Sequence, residues 1–118
     1  MTTTNDTLLG DLRVNDPDDL DWVRVHPEVL QYAPAWATDL EAEFEPDGGV
    51  IVTFDGNFGS VQIATLVTWR AGEVTPTNDA DVFFRENEGV IDAETLNAYA
   101  RDFAAAASAF ADASKAGA

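Results

Sequence analysis

The chain has 118 residues, of which 46% are hydrophobic, and this size and composition suit one ordinary domain with its own core. Twenty-two acidic residues against six basic ones give a net charge of −16, so direct binding to a nucleic acid or an anionic membrane is not expected. The absence of cysteine excludes disulfides, thiolate metal sites and cysteine nucleophiles.

The N-terminal stretch 1–12 is polar and offers only three leucines for burial. We therefore expect a flexible acidic and polar tail over 1–12 and a single domain over 13–118. The stretch lacks the basic start and apolar run of a secretory signal. The longest mostly apolar run, about nine residues near 61–69, is far shorter than the roughly 20 residues that span a bilayer. A cytoplasmic protein without a membrane span is the expectation.

The segment after the tail carries two competing signals. Asp16 followed by Pro17 and further aspartates is typical of a capped helix start. The β-branched and aromatic run 22–25 fits a short strand equally well. After His26, one or two helical turns are expected, and Pro34 ends them.

The central part of the chain predicts antiparallel strands. Leu40, Ala42 and Phe44 alternate with glutamates, which is the period of a half-buried strand. A turn at 46–49 leads into a second strand over 50–55. Further predicted elements are a reversal at 56–59, a third strand over 61–69, a polar loop over 71–81 and a short fourth strand over 82–85.

The C-terminal part predicts a long helix. Asp92 is a good N-cap, Ile91 and Leu96 have the spacing of a hydrophobic staple, and Lys115 and Gly117 mark the end. Its predicted apolar face consists of Leu96, Tyr99, Phe103, Ala106, Ala107 and Phe110.

Together these elements predict an α+β fold. An antiparallel meander of three to four strands is covered on one face by the long C-terminal helix, and a short irregular or helical segment precedes it. Apolar residues occur on both faces of the second and third strands, so a monomer and a homodimer are both compatible with the pattern.

No residue set converges on a reaction. The only histidine, His26, precedes a proline, and no serine lies in a nucleophile elbow, so no catalytic residue is assigned and His26 is expected to cap or to be partly exposed. The aspartates after residue 15 do not match a calcium loop, because Asp21 and Pro27 stand where glycine and an acid are required. We therefore expect a protein that is not an enzyme and holds no metal or cofactor.

The acidity is concentrated before Ser60, where 13 acids face two arginines, against nine acids and four bases after it. A row of carboxylates at strand spacing, about 6.5 to 7 Å, imitates the phosphates of one nucleic-acid strand. The candidate partner-binding acids are Asp16, Asp18, Asp19, Asp21, Glu41, Glu43 and Glu45, with Trp22 and Trp36 as possible aromatic anchors.

The leading hypothesis is a protein-interaction module that occupies the basic, nucleic-acid-binding surface of a partner protein as a decoy, in the manner of a small viral or mobile-element inhibitor. Two alternatives stay open: an acidic accessory subunit without mimicry, and a domain whose acidity is a general adaptation to high salt. A small hydrolase or metal-binding protein has the least support.

Overall fold

The computed structural model describes residues 8–9, 12–77, 80–84 and 92–116, and within them the predicted α+β fold is confirmed. An antiparallel sheet carries a long C-terminal helix on one face, and a short helical segment lies near the N-terminus. The strands are β1 (Leu8–Leu9), β2 (Leu12–Val14), β3 (Asp39–Phe44), β4 (Val50–Phe58), β5 (Val61–Arg70), β6 (Glu73–Pro76) and β7 (Asp81–Phe84). The helices are α1 (Pro17–Val25), a 3₁₀ helix (Pro27–Tyr32) and α2 (Ala93–Ala116).

The strands follow the order β1-β2-β3-β4-β5-β6, and β7 also pairs with β5. All of these neighbours are antiparallel except β2 and β3, which run parallel. The strands β6 and β7 share one side of β5: β7 pairs with residues 61–64 and β6 with residues 67–70. The centre of the sheet is therefore the β4–β5 hairpin. The predicted second strand ended at residue 55, but β4 continues to Phe58 and the reversal lies at 59–60.

Two short strands lie where the sequence predicted a tail. Leu8–Leu9 pairs with Leu12–Val14, whose Leu12 and Val14 side chains are buried in the core. The Arg13 N–H also donates to the Thr38 carbonyl at 2.8 Å. This part of the stretch 1–12 belongs to the sheet, because a few apolar side chains suffice when a strand edge supplies backbone partners. Residues 1–7, 10 and 11 lie outside the described residues.

The polar loop predicted over 71–81 contains a strand, β6, and this part of the prediction was wrong. Ala71 and Gly72 form the two-residue turn that leads into it, both with positive φ, 52° and 85°. Such turns suit the twist of a hairpin, but they usually carry Asn or Gly at the first position. An alanine there gives no turn signal in the sequence.

The residues after Asp16 form a helix rather than a strand. The Asp16 carboxylate accepts a hydrogen bond from the Asp18 N–H at 2.8 Å, which caps α1, and Pro17 occupies its first turn. The His26 N–H donates to the Trp22 and Val23 carbonyls and closes the helix. Capping therefore decided between the two signals in this segment.

The C-terminal helix begins at Ala93, where the Asp92 carboxylate accepts from the Thr95 N–H at 2.8 Å. The staple residue Ile91 lies outside the described residues. On its predicted apolar face Ala106 is buried, whereas Leu96 and Phe103 are exposed. The helix α2 therefore covers the β4–β5 hairpin only in part.

The two faces of the sheet differ in whether helices cover them. On one face, here the core face, Leu40, Val52 and Phe54 are buried beneath α1, the 3₁₀ helix and α2. The other face, here the open face, carries none of the described helices. Because strand residues alternate between faces, even positions of β3 and β4 and odd positions of β5 build the core. The remaining positions of these strands form the open face.

Candidate acidic interface

Five carboxylates share the open face. Alternation along β3 places Asp39, Glu41 and Glu43 on it. Across the sheet, Asp39 is opposite Asp55 on β4, and the next partners in the same row are Ala64 on β5 and Asp81 on β7. These carboxylates, Asp39, Glu41, Glu43, Asp55 and Asp81, are called the acidic face below. They come from three strands that are separated along the chain by up to 42 positions.

A shallow cleft of about 380 Å³ lies within the acidic face. Glu41, Asp55 and Asp81 line it, and Ala64 and Leu66 contribute apolar surface. Phe83 also lines the cleft and is 51% exposed. Carboxylates beside an exposed aromatic ring suit a guanidinium or ammonium group, which gains both charge attraction and a cation–π contact.

Asp55 is half-buried on β4. Burial raises the pKa of its carboxyl group, and the negative charge of Asp39 adds to that rise, while a hydrogen bond from the Gln62 side chain opposes it. A cation bound in the cleft would relieve this repulsion. The electrostatics of the acidic face therefore suit a positively charged group.

Arginines approach the acidic face only at its margins, among the residues that the structure describes. Arg13 on β2 lies 4.0 Å from the Asp39 carboxylate and is well exposed. Arg70 at the end of β5 forms an ion pair of 2.9 Å with Asp47 in the β3–β4 turn. Both arginines are exposed, so the two pairs contribute little to stability. The centre of the face keeps its negative charge.

The structure divides the acids that the sequence predicted as one binding surface. Glu41 and Glu43 lie on the acidic face and are exposed, whereas Glu45 follows the end of β3 and is half-buried in the turn, where its N–H donates to the Gly49 carbonyl. The α1 aspartates lie on the core side of the sheet. Of these, Asp18 and Asp21 are exposed and Asp16 caps the helix; Asp19 is buried.

Asp19 is a correction to the predicted surface, because its side chain is only 6% exposed. Its Oδ2 accepts a hydrogen bond from the Ala42 N–H at 3.1 Å. Burial raises the pKa of Asp19, the Ala42 bond opposes this, and the charges of Asp16 and Asp18 add to the rise. The parallel strand β2 pairs with β3 only as far as Leu40, so the Ala42 N–H has no partner on β2. Asp19 thus satisfies a backbone donor on the β3 edge and does not face a partner.

The two proposed aromatic anchors also lie away from the acidic face. Trp36 is 9% exposed and packs over Gly56 in the core. Trp22 is half-buried on the core side, where its ring lies 4.7 Å from His26 and 5.4 Å from Trp69 between centroids. The exposed aromatic beside the carboxylates is Phe83 instead.

His26 belongs to this aromatic cluster and does not line the cleft of the acidic face. Its ring also lies 4.7 Å from Trp69, and its Nδ1 is 3.4 Å from Glu28 Oε2, the atom that accepts from the Trp69 indole at 2.9 Å. Hydrogen bonds from its own backbone N–H and from Trp69 lower the pKa of Glu28. The cluster joins the 3₁₀ helix to β5.

Sequence reasoning missed Asp39, Asp55, Asp81 and Phe83. A signal existed for the first two, since Asp39 continues the odd positions of Glu41 and Glu43, and Asp55 ends the outward set of β4. No local signal places Asp81 and Phe83 on this face, because β7 pairs with β5 although β6 lies between the two strands in the sequence.

Comparison with known proteins identifies no relative: no family model matches, and neither a curated protein nor a solved structure is significantly similar. Within the described ranges, no three histidine, cysteine or acidic side chains are grouped closely enough to hold a metal ion. None of the described helices is long and apolar enough to cross a membrane.

Stability is expected to pass through a maximum between about pH 4 and 6. As pH falls from neutral, the raised pKa values of Asp19 and Asp55 make the folded state bind protons more tightly than the unfolded chain, so folding is favoured. Protonation also reduces the repulsion of the −16 charge. Below the ordinary carboxyl pKa, a further fall in pH lowers stability, because the unfolded chain then binds protons more tightly than the folded state at four groups. These groups have lowered pKa values in the folded state: Glu28, Asp47, Asp92 and Asp102.

Urea unfolding followed by tryptophan fluorescence from pH 3 to 8 measures this profile. Asp19→Asn should flatten the slope between the maximum and neutral pH, because it removes one of the two groups whose raised pKa contributes to that slope. A free energy of unfolding that rises steadily from pH 5 to 8 would contradict the expectation.

Proposed function

We propose that the chain is a non-enzymatic interaction module that binds a basic, nucleic-acid-binding surface of a partner protein through the acidic face. The observation that carries the proposal is the juxtaposition of five carboxylates on a sheet face that none of the described helices covers. Charge complementarity of this kind accelerates encounter and selects basic partners. A cluster of like charges on a folded surface otherwise opposes folding, which favours a role in binding.

The arrangement supports a decoy in particular. Asp39, Glu41 and Glu43 form a row along β3 with about 6.5 to 7 Å between alternate residues. Asp55 and Asp81 extend the charge across the sheet, where each strand adds about 4.8 Å. The result is a two-dimensional field of negative charge, comparable in spacing to phosphates. It replaces the originally predicted row of Glu41, Glu43 and Glu45.

Phe83 supports arginine as the residue that the partner presents. Its exposed ring lies in the cleft that also contains Asp55 and Asp81. Guanidinium groups stack on aromatic faces and donate two parallel hydrogen bonds to a carboxylate, whereas lysine offers a point charge. Arginine-rich surfaces are typical of nucleic-acid-binding proteins.

The test removes three charges from the acidic face. In the variant Asp39→Asn, Glu41→Gln, Glu43→Gln, every side chain keeps its shape and its oxygen acceptor, including the Asp39 Oδ1 that accepts from Thr38 at 2.7 Å. The probe is protamine bound to a labelled DNA duplex, and fluorescence anisotropy reports release of the DNA. The wild-type chain should displace DNA, and the variant should need an about tenfold higher concentration.

The matched control removes three exposed charges elsewhere: Asp21→Asn, Glu94→Gln and Asp112→Asn. It has the same net charge as the first variant, so it should displace DNA nearly as well as the wild type. If both variants lose the same activity, the effect is one of total charge, as expected for a general salt adaptation, and the proposed interface is wrong.

A further inference from the structure

The strand β7 lies at an edge of the sheet. Among the described residues it pairs with β5 alone, through Val61↔Phe84, Gln62↔Phe83, Ile63↔Val82 and Ala64↔Asp81. The sequence of β7, Asp-Val-Phe-Phe, contains neither proline nor lysine, the residues that commonly protect exposed edges. Such an edge offers backbone donors and acceptors to an additional strand.

On the other side of the sheet, β3 extends beyond its pairing with the short strand β2, and one backbone donor there has a side-chain partner. There, the N–H of Ala42 on β3 donates a hydrogen bond to the buried Asp19 carboxylate of α1. No described side chain occupies the outer edge of β7 in a comparable way, and Val82 and Phe83 are 56% and 51% exposed. The two edges therefore differ in their capacity to accept a strand.

Alternate residues of β7 line two different clefts on opposite sides of the sheet. On the core face, Val82 lines a cleft of about 400 Å³ between the sheet and α2, together with Ile63, Phe103 and Phe110. All the side chains that line this cleft are apolar. On the open face, Asp81 and Phe83 line the acidic cleft. A strand added beside β7 would present its side chains alternately to these two environments.

We propose that β7 accepts an extended segment of the basic partner as an added strand, in which apolar residues facing the α2 cleft alternate with basic residues facing the acidic face. The inference rests on the proposed function and names the form of its partner. Backbone pairing supplies affinity and the two clefts select the alternating pattern. A second copy of this chain fits poorly, because it brings another −16 charge and its own β7 carries an aspartate and no base.

The experiment uses the full chain and a labelled seven-residue peptide of alternating arginine and valine. Two derivatives carry N-methyl groups, one on the valine amides and the other on the arginine amides. Amides of alternate residues point to the same side of a strand, so each derivative blocks one edge of the peptide. For one strand direction, the faces required by the arginines and valines fix which edge of the peptide meets β7, so exactly one derivative should bind about tenfold or more weakly than the parent. A peptide of the same composition with its arginines and valines in separate blocks should also bind more weakly.

Amide hydrogen exchange locates the bound peptide. The amides of β7 should gain protection with the parent peptide, and Val82→Thr, which keeps the branched shape but lowers the apolarity of the cleft, should weaken binding a few fold.

The outcomes separate this inference from the proposed function. Equal affinities of the two methylated peptides would overturn strand addition. In that case the proposed function would still stand if the variant Asp39→Asn, Glu41→Gln, Glu43→Gln bound the peptides more weakly than its matched control. If that variant bound every peptide as well as its control does, the proposed function would fall. Sedimentation of the chain alone as a dimer, with protected β7 amides, would assign this edge to a second copy and overturn the basic partner.

Discussion

Replacement of Phe54 by alanine is expected to lower the free energy of unfolding by about 3–5 kcal/mol. Phe54 is fully buried at the middle of β4, where it lies between Leu40 on β3 and Thr65 on β5. The three covering segments and the sheet meet in this core, so the cavity cannot close by movement of one element. A loss of this size is a large part of the stability of an ordinary small domain.

Urea unfolding at pH 5 measures the loss, and Phe83→Ala provides the control. Phe83 is the same residue type on a strand of the same sheet, but half of its surface is exposed, so its replacement should lower stability by less than about 1 kcal/mol. Comparable losses for the two variants would show that the core is not centred on β4.

Replacement of Gly56 by valine is expected to destabilise the fold by about 2–3 kcal/mol. A Cβ at position 56 would lie 2.6 Å from the Trp36 carbonyl oxygen and 2.7 Å from the Trp36 ring. Both distances are below contact, and the neighbour includes backbone, so the segment that carries Trp36 must move. Glycine is required here by close packing, and its φ is not positive.

The neighbouring substitution Asn57→Val is the control, since it places the same β-branched residue in the same strand at an exposed position. It should change stability by less than about 0.5 kcal/mol. In a Trp36→Ala background, the loss caused by Gly56→Val should be smaller, because the ring contact is gone. An unchanged loss in that background would mean that the ring contact plays no part.

Both substitutions lie on the core face of the sheet, which is expected to determine stability, whereas the acidic face is expected to determine binding. Core-face variants should change unfolding, whereas acidic-face variants should change binding and leave the fold intact. Some acids have structural contacts instead, and the Asp19 carboxylate accepts a hydrogen bond from the Ala42 N–H at the edge of β3. Asp102 also has a structural contact, since it accepts from both the Ser60 N–H and its hydroxyl at 2.9 and 2.8 Å and ties α2 to the β4–β5 turn.

Local patterns in the sequence predicted the elements that such patterns can specify. The alternation around Leu40 and in the third strand predicted the strands and most of their inward positions, since the period of two follows from strand geometry. Phe44, which was also predicted to face inward, is 47% exposed. Asp92 predicted the start of α2, and Asp16 gave one of the two competing signals for its segment, because capping depends on residues within one turn. The α+β class followed from these elements. By contrast, β6 was missed because its turn uses an alanine with positive φ.

The sequence by itself determined a strongly acidic α+β domain in which each strand has one inward and one outward face. Only the tertiary structure decided which carboxylates lie together, because acids are chemically alike and their grouping depends on strand register between distant segments. In the structure, Asp39 lies opposite Asp55, and Asp81 on β7 lies in the same row. Asp19 is buried instead and accepts a hydrogen bond from the edge of β3. Charge specifies what a surface attracts, whereas long-range strand pairing specifies where that surface is.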